Sequence, residues 1–262
     1  MIRKQWSLLI IVLLLSSIGC EDSVEGCLQS NASNFDVTAV TPCDDCCELP
    51  TVSLDVELGY DTLQLRFGNE YPLNDMDTVK ILSFELPLSV FTFHNDGMPR
   101  EVVDTIMEFQ PGKRDDYLSI SQSSRYEIGH TDFEVDVDSY SCVLGYDQTE
   151  LESLKPYVDI NVENKVVQLV RNFHNDTIDT YSQLNIILEM ADSTRTIQVH
   201  DLQNVTKTIT LEDNLTFRAG QDWAIDMRID LKRVLAGVTP RLSDAEIAVL
   251  IGNNLSASVT EN

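Results

Sequence analysis

Thr51-Val52-Ser53-Leu54-Asp55-Val56-Glu57-Leu58 alternates polar and apolar side chains without a break, and Ile225-Asp226-Met227-Arg228-Ile229 repeats the pattern near the other end of the chain. In extended backbone, successive side chains point to opposite faces, so each stretch sends one row into a core and one into water. The same period runs through Leu63, Leu65 and Phe67, and through Phe133, Val135 and Val137. Residues 79–93, 157–169, 183–190, 195–200 and 205–211 read as further strands, separated by turn formers such as Asn95-Asp96-Gly97. No strongly helical stretch lies between them. The pattern predicts an all-β fold, a sandwich of antiparallel sheets of immunoglobulin-like or related type. One short C-terminal helix is expected, because Ser243 and Glu246 form a capping box, with Leu242 and Ile247 as its staple.

Working back from Thr51, the composition changes at Pro50. Residues 20–50 hold five of the six cysteines and few large apolar side chains. So short a segment cannot bury a core of its own, so crosslinks are expected to hold it. Earlier still, Arg3 and Lys4 precede an apolar run from Trp6 to Leu15 and the small residues before Cys20. That run is too short to span a bilayer and has the form of a secretory signal peptide, removed on export. The domain reading is therefore a signal peptide at 1–19, a cysteine-rich tether at 20–50 and a β-sandwich domain at 51–262. Export places the cysteines where disulfides persist.

The chain carries a formal charge of −25. Removing residues 1–19 takes away Arg3 and Lys4 and no acidic side chain, so the exported chain is more acidic still. Phosphate backbones and anionic headgroups would repel it, which excludes nucleic acid as a partner and leaves cations as the plausible small ones. No Gly-x-Ser-x-Gly elbow, His-Glu-x-x-His, phosphate loop or dinucleotide fingerprint occurs, so the sequence is read as that of a non-enzyme.

Ser17-Ile18-Gly19-Cys20 resembles the lipobox of bacterial lipoproteins. The resemblance implies that Cys20 is lipidated, becomes the N-terminus and ties the chain to the bilayer through acyl chains. Its place would be the outer membrane, on the periplasmic side or, as Glu21 and Asp22 resemble acidic export signals of Bacteroidota, at the cell surface. Gly26-Cys27, Ala32, Asn34-Phe35-Asp36 and Cys46-Cys47 resemble a short cysteine-bearing element of Bacteroidota surface proteins, from which Leu28, Gln29 and the extra Cys43 depart. Spacing leaves connectivity open. Within the resemblance, Cys27 is expected to bridge to Cys46 or Cys47, while Cys142 stays buried or reaches back to the head.

Across residues 51–260, several pieces follow the order of the MbnP-like copper-binding domain, a β-sandwich of bacterial secreted proteins. They are Thr78–Ile81 leading into Leu88–Phe91 and Asn95-Asp96-Gly97, then Val135–Ser139, Phe173-His174 with Leu184–Met190, Ile225–Leu235 and Ile251–Leu255. The resemblance implies an extracytoplasmic copper site using histidines, and the candidate ligands are His94 and His174. Imidazole suits copper, and such ligands would have to converge from different strands. The four histidines, His94, His130, His174 and His200, form no His-x-His pair, and Asn175-Asp176 stands where glycines usually follow the aromatic-His turn. Trp223 opens a period-two apolar face and reads as core. The alternative function is a cell-surface module that binds glycan or protein without metal.

Asp132, Glu134, Asp136 and Asp138 share a polar strand face. With ~6.6 Å between successive carboxylates they read as a solvated row. Asp36, Asp44 and Asp45 are oxygen-bearing candidates for a hard cation, without EF-hand spacing. The lipobox reading has a direct test: Cys20→Ser is expected to yield a chain that stays in the aqueous phase, whereas the native protein partitions into detergent.

Overall fold

The computed structural model describes residues 24–43, 45–101, 118–130, 135–145, 174–175, 180–200, 205–218 and 220–261. The expected signal peptide, Cys20 with Glu21 and Asp22, Asp44, the strand expected at 157–169, Phe173, and Phe133 with Asp132 and Glu134 lie outside the described residues. The head holds a parallel pair, β1 (Glu25–Gly26) and β2 (Thr41–Pro42). Then come β3 (Thr51–Tyr60), β4 (Leu63–Gln64), β5 (Glu70–Pro72), β6 (Thr78–Asn95), β7 (Met98–Glu101), β8 (Leu118–Ile120), β9 (Ser124–His130) and β10 (Val135–Leu144). The hairpin of β11 (His174–Asn175) and β12 (Thr180–Tyr181) is followed by β13 (Leu184–Met190), β14 (Ser193–Val199), β15 (Val205–Phe217) and β16 (Trp223–Asp230). Helices α1 (Leu231–Val234) and α2 (Asp244–Ser258) and the short β17 (Val259–Thr260) close the chain.

Two sheets enclose one core. The larger has eight strands ordered β14-β13-β6-β10-β15, with β5, β7 and β8 also on β6; the smaller has five, ordered β17-β16-β3-β4, with β9 also on β3. On β3 the alternation predicted for residues 51–58 is realised: Val52, Leu54, Val56 and Leu58 are buried. They join Ile225, Met227 and Ile229 of β16 and the larger sheet's Phe84, Phe93 and Tyr140 in a single cluster. Buried Tyr140 donates its hydroxyl from β10 to the carbonyl of Asp226 on β16 at 2.8 Å, bonding one sheet to the other. Burial pushes its pKa far above the ordinary tyrosine value. Within the two large sheets, among the described residues, one pairing departs from the antiparallel expectation, since β16 lies parallel to β3, with Trp223 opposite Val52 through to Asp230 opposite Gly59.

β6 is eighteen residues long, and its buried row changes phase twice. The row runs Val79, Ile81, then Phe84, Leu86, Leu88, then Phe91, Phe93. Each phase change falls on a bulge. β13 skips Leu82, pairing Ile187 with Ser83 and Leu188 with Ile81, so the extra residue shifts the faces by one. β10 pairs Ser141 with Thr92 and Val143 with Ser89, and the excess on β6 is taken up at Val90, whose φ is 53°. A β-branched side chain in the left-handed region is strained by roughly 1–3 kcal/mol.

α2 follows its sequence signals. Ser243 Oγ accepts from the Glu246 N–H at 3.3 Å, and a Glu246 carboxylate oxygen accepts from the Ser243 N–H at 2.8 Å. Ile247, Ile251 and Leu255 form its buried face. Arg195 of β14 holds the helix start, donating to Asp244 Oδ1 and to the Leu242 carbonyl, each at 2.7 Å. Among the described residues, no helix is long and apolar enough to cross a membrane.

The head rests on the end of the body: Gly220 N–H donates to Asn31 O at 3.2 Å, and Thr51 N–H to Asp222 Oδ1 at 2.8 Å. Cys27 is bonded to Cys47 and Cys43 to Cys46, while Cys142 is buried in the body. The bulge assigns opposite fates to two valines of one strand. Val90→Gly, which relieves the positive φ, is expected to be near neutral, whereas Val79→Gly at a fully buried position should cost about 3 kcal/mol. Urea denaturation midpoints compare the two.

Candidate functional site

The sequence-based candidates centre on His94, at the end of β6. Asp96 and Gly97 follow with φ of 49° and 74°, the two left-handed residues of a tight hairpin turn, and place Pro99 of β7 opposite His94. On the other edge of β6, β10 brings Ser139 opposite His94 and Ser141 opposite Thr92. The half-buried imidazole meets this hydroxyl row, with Nε2 of His94 2.9 Å from Ser141 Oγ.

A second irregularity supplies the carboxylate beside it. Between Val137 and Ser139 the register of β10 on β15 breaks, so Asp138 is excused from the ladder. Its Oδ2 accepts the Asp96 N–H at 2.8 Å and its Oδ1 the Ser139 hydroxyl at 2.6 Å. These bonds, Ser139 first and Asp96 second, hold the Asp138 carboxyl below its ordinary value of 3.8, with a smaller contribution from the His94 ring. The row of acidic side chains on one solvated face is therefore interrupted: Asp136 accepts from Thr216 Oγ1 at 2.7 Å, and Asp138 instead ties the β6–β7 turn to β10.

His174 begins β11, its backbone paired with Tyr181; its side chain lies outside the described residues. Among the described residues, the metal-capable side chains that come together are Cys43, Cys46 and Cys47, with ligand atoms within 4.8 Å of one another. His94 belongs to no such group. Around it stand one imidazole nitrogen already bonded to a serine and a carboxylate whose oxygens are both occupied, and this set alone does not make a copper site. Of the other histidines, His130 Nδ1 lies 3.1 Å from the Leu49 carbonyl and its Nε2 3.5 Å from Glu127. Trp223 packs against Phe217 with ring centroids 5.4 Å apart and the planes tilted by 35°, which makes it a packing residue, and among the described residues its buried indole N–H has no acceptor.

A groove of about 660 Å³ that the sequence did not suggest lies between α2 and the end of β14. Val199, His200, Val205, Ala248, Val249 and Asn253 line it. In sequence, Ala245, Ala248, Gly252 and Ser256 were already a row of small residues at helical spacing, flanking the buried Ile247, Ile251 and Leu255, and that row is the helix wall of the groove.

No protein-family model matches the chain, and no curated protein matches it. A solved structure similar in chain course is MbnP from Methylosinus trichosporium, at 9% sequence identity over 72% of this chain and 78% of that one, with a TM-score of 0.43. A likeness of this order gives no residue here a role.

The Asp138 network sets a pH dependence with a definite sign. A carboxyl whose folded pKa is lowered adds stability above its unfolded pKa and loses it as pH falls through the folded value. Wild type and Asp138→Asn are therefore expected to differ most in melting temperature near neutrality and to converge below the ordinary aspartate range. A difference that is constant with pH would show that the charge is not what holds the turn.

Proposed function

We propose that this chain is a lipid-anchored binding protein that works outside the cytoplasm, held through Cys20 and presenting its β-sandwich to a ligand. What supports this reading is the head: two disulfides within a segment poor in apolar side chains, immediately after an export-type N-terminus. Disulfides of this kind belong to oxidising compartments. The sequence carries no catalytic motif, and binding rather than turnover is the role assigned to it.

In its sharpest form the ligand is copper, bound through His94 and His174 from two different elements. A second reading is an interaction module for glycan or protein without metal, and the groove beside α2 favours it. Its lining is mixed, with Val249 63% exposed on one side and His200 and Asn253 among the polar groups. Sites for organic ligands have this character of apolar walls with a few polar groups.

Titration of the oxidised mature chain with Cu(II) decides between them. The copper form is expected to show stoichiometric binding that is lost when His94→Ala and His174→Ala are combined. Absent binding, or binding indifferent to both substitutions, removes the copper form and leaves the interaction module.

A further inference from the structure

The four disulfide-bonded cysteines of the head are not equivalent. Cys27 is 2% exposed, and its bond to Cys47 closes a loop with a sequence separation of 20. Cys43 and Cys46 are half-buried and are separated by only three. Loop-closure stabilisation grows with loop length and attack needs access to sulfur, so a dithiol would open Cys43–Cys46 first.

Opening that bond would not scatter its two sulfurs, because the backbone around each is held by other means. Cys43 donates its N–H to the Gly26 carbonyl at 3.1 Å, next to the β1–β2 pairing. Asn34 grips the far side, donating from Nδ2 to the Cys46 carbonyl at 2.6 Å and accepting the Glu48 N–H at 2.9 Å. Ser33 adds two bonds to the Glu48 carbonyl, from its N–H at 2.7 Å and its hydroxyl at 3.0 Å. Asp45 turns the chain between them with a φ of 58°. Cys47 stays anchored through Cys27. The Cα atoms of Cys43 and Cys46 lie 5.7 Å apart, and the Cys47 sulfur is within 4.8 Å of both of theirs.

We propose that the reduced head is a soft-cation site in which the Cys43 and Cys46 thiolates bind a d10 ion such as Cu(I) beside the Cys47 sulfur. Reduction transfers two electrons and two protons from an external dithiol, which leaves as its own disulfide, to the Cys43 and Cys46 sulfurs. The cation then displaces both protons to solvent and forms two metal–sulfur bonds, with no change in its own oxidation state. Thiolate sulfur selects soft ions, and the Cys-x-x-Cys arrangement favours the thiolate form. Asp45, Glu48 and the chain's net negative charge draw cations towards the head rather than anions. This site is independent of His94 and His174.

The test uses the mature chain carrying Cys20→Ser, treated anaerobically with one equivalent of a phosphine reductant. Alkylation and peptide mapping should label Cys43 and Cys46 and spare Cys27 and Cys47. Cu(I) titration should then give one ion per chain more than the unreduced protein takes up, with a sulfur-to-copper charge-transfer band that unreduced protein lacks. Combined Cys43→Ser and Cys46→Ser should abolish the band; Cys142→Ser, and His94→Ala with His174→Ala, should leave it unchanged. Labelling of all four head cysteines together, absence of the band in reduced wild type, its survival in the Cys43/Cys46 variant or its loss in the histidine variant would each overturn the proposal.

Discussion

Every strand of the larger sheet is hydrogen-bonded to β6 or to a strand that is, which makes the register of this one element the constraint on which the rest of the sheet depends. Lys80 pairs with Glu70 on one edge and Glu189 on the other, and Leu88 is shared between Leu118 and Leu144 in the same way. A slip by one residue would turn a whole buried row to solvent. Eighteen residues of perfect alternation would also have to follow the sheet's twist without relief. The two bulges, at Leu82 and Val90, let the strand bend and reset which face is buried. The second places its backbone strain at half-buried Val90, on the edge of the core, and beyond it Phe91 and Phe93 face inwards.

This strand also shows where reading the sequence succeeds and where it stops. Alternation identified β3, β16 and the span of β6 because burying one face of a strand leaves a direct mark on residue order. The bulges left a fainter one, the doubled apolar pairs Ile81-Leu82 and Val90-Phe91. Strand direction leaves none. Nothing in the period of two says that β16 runs parallel to β3, a pairing that brings distant parts of the chain side by side and so depends on the path of everything between them. That pairing also sets Asp222 and Gly220 beside Thr51 and the head, so the head is seated by residues far from it in sequence.

The candidate site was legible to a similar extent. His94 and the Asn95-Asp96-Gly97 turn stand where local chemistry puts them, since Asp and Gly tolerate the left-handed backbone of a tight hairpin. Its neighbours were not foreseeable. Asp138 reads in sequence as one of a solvated row, and only the break in the β10–β15 register frees it to bind the Asp96 N–H. Cysteine pairing has the same character, because Cys46 and Cys47 are adjacent in sequence and the backbone around Asn34 decides which of them faces Cys27. The groove beside α2 needed the packing of a helix on a distant strand before its row of small residues meant anything.

Electrostatics connects the head to the body. The chain has 18 lysines and arginines against 43 aspartates and glutamates. Many of the basic groups are committed to the fold: Arg228 to Glu57, Arg125 to Asp55, Lys80 to Glu189, Arg195 to Asp244 and Lys232 to Asp61. Where such pairs are exposed they add little stability each, yet all of them consume the positive charge locally and leave the surplus carboxylates uncompensated. The resulting negative field reaches about a Debye length, ~8 Å at physiological salt, so it acts at the surface and not across the molecule. It disfavours phosphate, nucleic acid and bare anionic membrane. It also raises the local concentration of cations at whichever surface ligands can hold one. In the described structure the surface cluster with donors of matching softness is the sulfur group of the head, where hydrogen bonds from Asn34 and Ser33, and the Gly26 carbonyl accepting from Cys43, hold the backbone independently of the short disulfide.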